Sequence, residues 1–186
     1  MQVSNLKLVG LKHLNPRRYC DHRGFFGETY NSRLYAELGI DVDFVQDNHS
    51  LSLAVSTIRG LHFQAPPAAQ SKLVRCGRGA IFDVAVDIRS GSPTYGQWEA
   101  CELTAENGHQ LYIPKGFAHG FMTLEPNSEI VYKCSHFYAP DSERALNWDS
   151  CGIKWPLSGN PILSEKDAVA VCLEDFESPF VYGKNS

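Results

Sequence analysis

The chain has 186 residues, 43% of them hydrophobic, and a formal net charge of −4. That is enough apolar material for a substantial core, and residues 1–186 are expected to form one domain. A net negative chain has no global positive field for nucleic acid or an anionic membrane, so an anionic ligand must be met by a local cluster of cations.

The opening stretch, "MQVSNLKLVGLKHLNP", lacks the basic start and apolar run of a secretory signal, and no segment approaches the roughly 20 apolar residues that span a bilayer. The expectation is a cytoplasmic protein without membrane or nucleic-acid partners. Cys20, Cys76, Cys101, Cys134, Cys151 and Cys172 form no CxxC pair, which argues against a zinc knuckle or redox motif and for free thiols.

Along the chain, "NSRLYAELG" (residues 31–39) opens on a capping asparagine and closes on glycine, the signature of one short helix. From residue 56 onward the pattern changes to period two. "STIRGLHFQ", "SKLVRCGRGAIFDVAVDI", "QWEACELT", "HQLYIPKG", "HGFMTL" and "EIVYKCSHFY" mix β-branched and aromatic residues with polar ones, separated by "GRG", "SGSPTYG", "AENG" and "EPNS". These are antiparallel strands joined by turns, which makes the fold all-β, a sandwich or barrel with a few short peripheral helices. A second short helix or extended turn is expected in "SEKDAVAVCLED" (residues 164–175), and the closing "VYGKNS" is expected to be loosely ordered.

Alternation also sorts side chains by face. Residues 62 and 64 share one face, and 72, 74 and 76 share another, so Lys72 lies with Val74 and points into the barrel. A cation there is costly unless it meets an anion or a polar ligand, which marks Lys72 as a functional candidate. Tyr132 shares a face with Ile130, so its hydroxyl needs an interior partner, either a ligand or a backbone carbonyl. His62 taken alone reads more readily as a packed or solvated histidine than as a catalytic one.

"GHQLYIPKGFAHGF" resembles the second cupin signature. Metal-binding cupins carry a His-x-His pair in the first signature, whereas this chain has "LHF" followed by Gln64. A neutral amide is a weak ligand for zinc, iron or nickel, so a three-histidine site cannot be assembled from these positions.

Across most of its length the chain is similar to the dTDP-4-dehydrorhamnose 3,5-epimerase family. The likeness is carried by "DHRGFFGETY", "IRGLHFQAPPAAQSKLVRCGRG", "DVAVDIRSGSPTYG", "LYIPKGFAHGF", "VYKCSHFYAPDSE" and "PILSEKD". The resemblance implies a cupin jelly roll, a homodimer, no metal, no organic cofactor, and dTDP-4-dehydro-6-deoxy-D-glucose as substrate on the way to dTDP-L-rhamnose. The C4 ketone of that sugar acidifies the hydrogens on C3 and C5, so a base and an acid on opposite faces invert each centre without redox chemistry.

By the same resemblance His62 is the base, suited to neutral pH by an ordinary pKa of about 6.5. Asp167 orients it, Lys72 stabilises the enolate oxygen, and Tyr132 is the opposite-face acid. Arg59 and His119 match positions that contact diphosphate and sugar, while Gln46, Asn48 and Tyr138 fall where the family holds the nucleotide. Arg23, Phe26 and Glu28 resemble an arm that crosses to the neighbouring subunit. Three alternatives stay open at this level: an epimerase acting at one carbon only, a metal-dependent cupin oxygenase or isomerase, and a sugar-nucleotide binding module without turnover.

Overall fold

The computed structural model describes residues 1–183. Thirteen strands run through these residues: β1 (Gln2–Asn5), β2 (Lys12–Asn15), β3 (Arg18–Asp21), β4 (Gly24–Gly27), β5 (Gln46–Ser52), β6 (Ile58–Gln64), β7 (Lys72–Arg78), β8 (Ala80–Asp87), β9 (Trp98–Thr104), β10 (Gln110–Ile113), β11 (Phe117–Thr123), β12 (Ser128–Cys134) and β13 (Glu143–Ala145). Two helices accompany them, α1 (Ser32–Glu37) and α2 (Glu165–Ala168). The helix expected at 31–39 forms with Asn31 as its cap, its side chain accepting the Leu34 amide, and Gly39 follows in the left-handed region.

The strands build a six-stranded sheet in the order β1-β2-β10-β7-β12-β5 and a five-stranded sheet in the order β13-β6-β11-β8-β9, with β3-β4 as a separate hairpin. Every named pairing is antiparallel. The stretch from 71 to 88 is thus two strands in different sheets, split by Gly79 at positive φ.

Period-two alternation decides what each face meets. Val74, Cys76 and Ile130 of one sheet and Ile81, Ala85 and Phe121 of the other form the layer between the sheets. The opposite face of the five-stranded sheet, with Ile58, Leu61, Phe63, Val84 and Met122, is covered by Leu146, Trp155 and Phe180 of the C-terminal segment. Leu73 and Tyr112 face outward from the six-stranded sheet and receive Tyr35 of α1 and Ile40. Each buried Leu, Ile or Phe contributes about 1.5–3 kcal/mol of transfer free energy, so both layers are needed to hold the sheets in place.

One irregularity matters for the interior. In the β6–β11 ladder His62 pairs with His119 but Arg59 pairs with Phe121, so β6 carries one residue more than its partner across that interval. Such an insertion re-aims side chains. Here Ile58, Leu61 and Phe63 all face the outer layer, while Arg59 and His62 line the interior cavity. Gly60 sits at the insertion with φ +107, and a Cβ there would lie 2.6 Å from the His119 carbonyl oxygen and 2.8 Å from Gly120 Cα.

The closing "VYGKNS" is anchored in part: Val181 bridges to Ser90, and the Tyr182 amide bonds the Ser90 carbonyl at 2.9 Å. Residues 184–186 lie outside the described residues. Among the described residues no helix is long and apolar enough to cross a membrane.

Gly60→Ala is expected to lower stability by about 2 kcal/mol or more, because the new methyl meets backbone in a conformation that L residues avoid. Thermal unfolding measures it, and a melting temperature equal to that of the parent protein would show that β6 relaxes around the methyl.

Candidate active site

At one end of the space between the sheets the inward residues stop being apolar. A cavity of about 380 Å³ opens there, lined by Arg59 and His62 of β6, Lys72 of β7, His119 and Phe121 of β11, Tyr132 of β12, Ser50 of β5, and the segment from Ile162 to Asp167. A smaller contiguous cleft along the same rim adds Gln46, Asn48, Gln64, Tyr138 and Glu143. His62 and Tyr132 therefore project from facing sheets into one space.

His62 is held by Asp167. Its Nε2 lies 2.5 Å from Asp167 Oδ1, with the carboxylate nearly buried and the imidazole partly open to the cavity. The turn "SEKD" explains the placement: Ser164 caps α2 by accepting the Asp167 amide at 3.1 Å, which fixes the backbone of a carboxylate three residues into the turn. Burial pushes the Asp167 pKa up, but hydrogen bonds from His62, Ser164 and the Gly60 amide outweigh it and hold the group below the ordinary carboxylate value. A fixed anion on Nε2 sets the tautomer, so the lone pair of the neutral ring is on Nδ1.

Lys72 points into the barrel beside Val74, in agreement with the alternation of β7. Its Nζ makes a long 3.4 Å bond to the His62 carbonyl. Burial lowers its pKa, opposed by the charges of Cys134, Asp83 and Glu143. Tyr132 is shifted the other way, its phenol pushed up mainly by burial and eased down by the neighbouring Asn48 side chain and the Arg59 cation.

His119 is paired as well. Its Nε2 lies 2.8 Å from Oδ1 of Asp83, a carboxylate with no exposed surface on the neighbouring strand β8, and burial keeps the imidazole pKa below its ordinary value despite that anion. The sequence pattern missed Asp83, which lies in an apolar run "AIFDVAV" and has no local feature to set it apart. Asp83 Oδ2 is buried with no partner among the described residues.

The rim carries the remaining candidates. Arg59 donates to Ser52 Oγ at 3.0 Å and to the Leu51 carbonyl at 3.1 Å. Gln46 Nε2 donates to Asn48 Oδ1 at 3.0 Å. Tyr138 is 56% exposed, and its hydroxyl donates to Glu143 Oε2 at 3.0 Å. Glu143 also meets Lys166 at 2.7 Å, which ties the segment carrying Asp167 to β13 across the rim. Sequence reasoning passed over Glu143 and Lys166, since charged residues outside any periodic segment are usually solvated. Arg23, Phe26 and Glu28 lie apart from the cavity in this chain: Arg23 pairs with its neighbour Asp21 at 2.6 Å, and Phe26 on the β3–β4 hairpin is 72% exposed. Among the described residues no three His, Cys, Asp or Glu side chains converge as metal ligands.

Known proteins share this sequence and fold. The family model described as dTDP-4-dehydrorhamnose 3,5-epimerase matches residues 5–175. The dTDP-4-dehydrorhamnose 3,5-epimerase of Salmonella typhimurium is 53% identical over 164 residues, 87% of this chain and 89% of that one. The enzyme of the same name from Sinorhizobium fredii is 48% identical over 186 residues, covering 99% and 95%. Among solved structures, a dTDP-6-deoxy-D-glucose-3,5-epimerase from Legionella pneumophila in complex with dTDP-4-keto-L-rhamnose superimposes with a TM-score of 0.91 at 45% identity, over 95% of this chain and 94% of that one.

Lys72 and Tyr132 shift in opposite directions from their ordinary values. A reaction that needs the Lys72 ammonium is expected to lose rate below the ordinary lysine pKa as pH rises, while the Tyr132 phenol stays protonated beyond its own ordinary value. The alkaline limb of a pH–rate profile should therefore move upward in Lys72→Arg and stay in place in Tyr132→Phe, measured on residual activity. A limb that moves only in Tyr132→Phe would assign it to the phenol.

Proposed function

We propose how the residues of this chain, which belongs to the dTDP-4-dehydrorhamnose 3,5-epimerase family and has that activity in dTDP-rhamnose biosynthesis, divide the chemistry on dTDP-4-dehydro-6-deoxy-D-glucose. The reading rests on one observation above all: the His62–Asp167 pair and Tyr132 enter the same cavity from opposite sheets, with Lys72 beside them. A sugar ring lying between the sheets presents one face to the imidazole and the other to the phenol.

His62 Nδ1 takes the proton from C3 or C5, and the C–H electron pair moves through the ring carbon to O4. Asp167 stabilises the imidazolium through Nε2. The enolate oxygen is balanced by the Lys72 ammonium, whose weak protein contacts leave its charge available to it. Tyr132 then delivers its hydroxyl proton to the opposite face of the carbon, which reforms the ketone with inverted configuration. Proton exchange with solvent restores both groups, and the same cycle at the second carbon completes the reaction.

Ligand recognition follows from the rim. Arg59 supplies a cation for the diphosphate, His119 contacts the sugar, Gln46 and Asn48 face the nucleotide, and Tyr138 offers an open aromatic face to thymine. The complex of the Legionella relative with dTDP-4-keto-L-rhamnose supports a dTDP-sugar as the ligand. A homodimer is part of the reading, because the β3–β4 hairpin exposes Tyr19, Phe25 and Phe26 by 55%, 59% and 72% next to Arg23, an apolar surface suited to a second copy. A cytoplasmic site of action fits six cysteines that are all free.

Tyr132→Phe is expected to separate exchange from inversion: deuterium from heavy water still enters the sugar from the His62 side, while epimerised product falls at least tenfold. NMR of one sample gives both quantities, and parallel loss of the two would remove Tyr132 from the acid role. His62→Ala should abolish both. Phe26→Ala is expected to weaken dTDP binding and shift the protein toward monomer in light scattering, with turnover of bound substrate less affected; an unchanged inhibition constant for dTDP would count against a crossed arm.

A further inference from the structure

We infer that Gln64 is a positioning residue for the segment 137–139, acting on nucleotide affinity rather than on proton transfer. The inference rests on the reading of Tyr138 as the residue that stacks on thymine.

Gln64 lies two residues beyond His62 on the interior side of β6 and is 4% exposed. A buried primary amide has to satisfy two donor hydrogens and an oxygen. Its Nε2 donates to the Ala68 carbonyl at 2.7 Å and to the Phe137 carbonyl at 3.2 Å, and its Oε1 accepts the Ala139 amide at 2.9 Å. The polar groups on both sides of Tyr138 therefore end on one side chain. Tyr138's own amide donates to Gln46 Oε1 at 2.8 Å, and its hydroxyl reaches Glu143, the residue paired with Gln64 in the β6–β13 register.

This arrangement determines where the tyrosine ring stands. The ring is more than half exposed, so packing does little to direct it, and its direction follows from the backbone of 137–139. Three successive main-chain groups there, Phe137 O, Tyr138 N and Ala139 N, are each fixed by a glutamine side chain. An aromatic surface held in place before its ligand arrives loses less conformational freedom on binding. Gln64 stands where a metal-binding cupin carries a histidine ligand, and both ends of its amide are directed at backbone instead.

The test is a double-mutant cycle with Gln64→Met, which keeps the volume and removes all three bonds, and Tyr138→Ala. Calorimetry gives the Kd of dTDP, and heavy-water NMR at saturating sugar nucleotide gives kcat. Gln64→Met is expected to raise the Kd roughly tenfold, the effect of one to two lost hydrogen bonds, with kcat within about twofold of the parent. In the Tyr138→Ala background the same substitution should add little.

A full additional loss in that background, a fall in kcat that matches the loss of affinity, or an unchanged Kd in Gln64→Met while Tyr138→Ala weakens binding would each overturn the inference. If Tyr138→Ala itself leaves the Kd unchanged, the stacking reading fails and the inference with it. Should Gln64→Met not fold, Gln64→Asn keeps an amide one methylene too short for the clamp. It should raise the Kd less and speed hydrogen exchange at the Tyr138 and Ala139 amides; exchange equal to the parent's would overturn the clamp.

Discussion

The site depends on a mismatch of one residue between two paired strands. Alternation alone would place residues 59 and 62 on opposite faces of β6, one in the cavity and the other under the C-terminal cover. The extra residue opposite His119–Phe121 turns both inward and leaves Ile58, Leu61 and Phe63 free to fill the outer layer. Gly60 makes this possible by accepting a left-handed conformation against the backbone of β11. Its amide also favours the charged form of Asp167, so the irregularity that aims the imidazole favours the carboxylate that pairs with it.

Polar groups inside a barrel are tolerated only in company, and the interior is organised accordingly. His62 and His119 are register partners on adjacent strands, and each has its Nε2 on a separate, nearly buried carboxylate. Asp167 arrives from a capped turn near the end of the chain, Asp83 from the middle of an apolar strand. Lys72 is the contrasting case, with burial acting against its charge and only a long bond to a carbonyl. That contrast separates a group suited to meet charge developing on a substrate from groups whose partners are already in place.

The β-rich core and the inward Lys72 and Tyr132 were legible because their strands alternate cleanly between an apolar interior and a different exterior. The strand β5 was not, since "QDNHSLS" is polar on both faces: one lines the cavity and the other meets solvent. Nor were β3 and β4, which form an exposed two-stranded hairpin with no core to impose a pattern. His62, Asp167 and Tyr138 were identified through family likeness, because no local rule joins a strand histidine to a carboxylate 105 positions away. Asp83 and Glu143 escaped for a related reason, and Gln64 was legible only as a missing metal ligand: their importance lies in partners that only the fold supplies.

That separation has a consequence for how the protein is made. The segment from Ile162 to Asp167 lines the cavity, and the outer layer needs Phe180, so the His62–Asp167 pair joins residues 105 positions apart in the chain. At about 5–20 residues per second, a ribosome takes on the order of 5–20 s to travel from one to the other. During that interval β6 has emerged without its carboxylate, and its outer face gains Leu146 and Trp155 before Phe180. A nascent chain of this protein therefore exposes part of that hydrophobic strand surface until synthesis is nearly complete, and a chain cut short before Asp167 lacks both Phe180 of the cover and the carboxylate that pairs with His62.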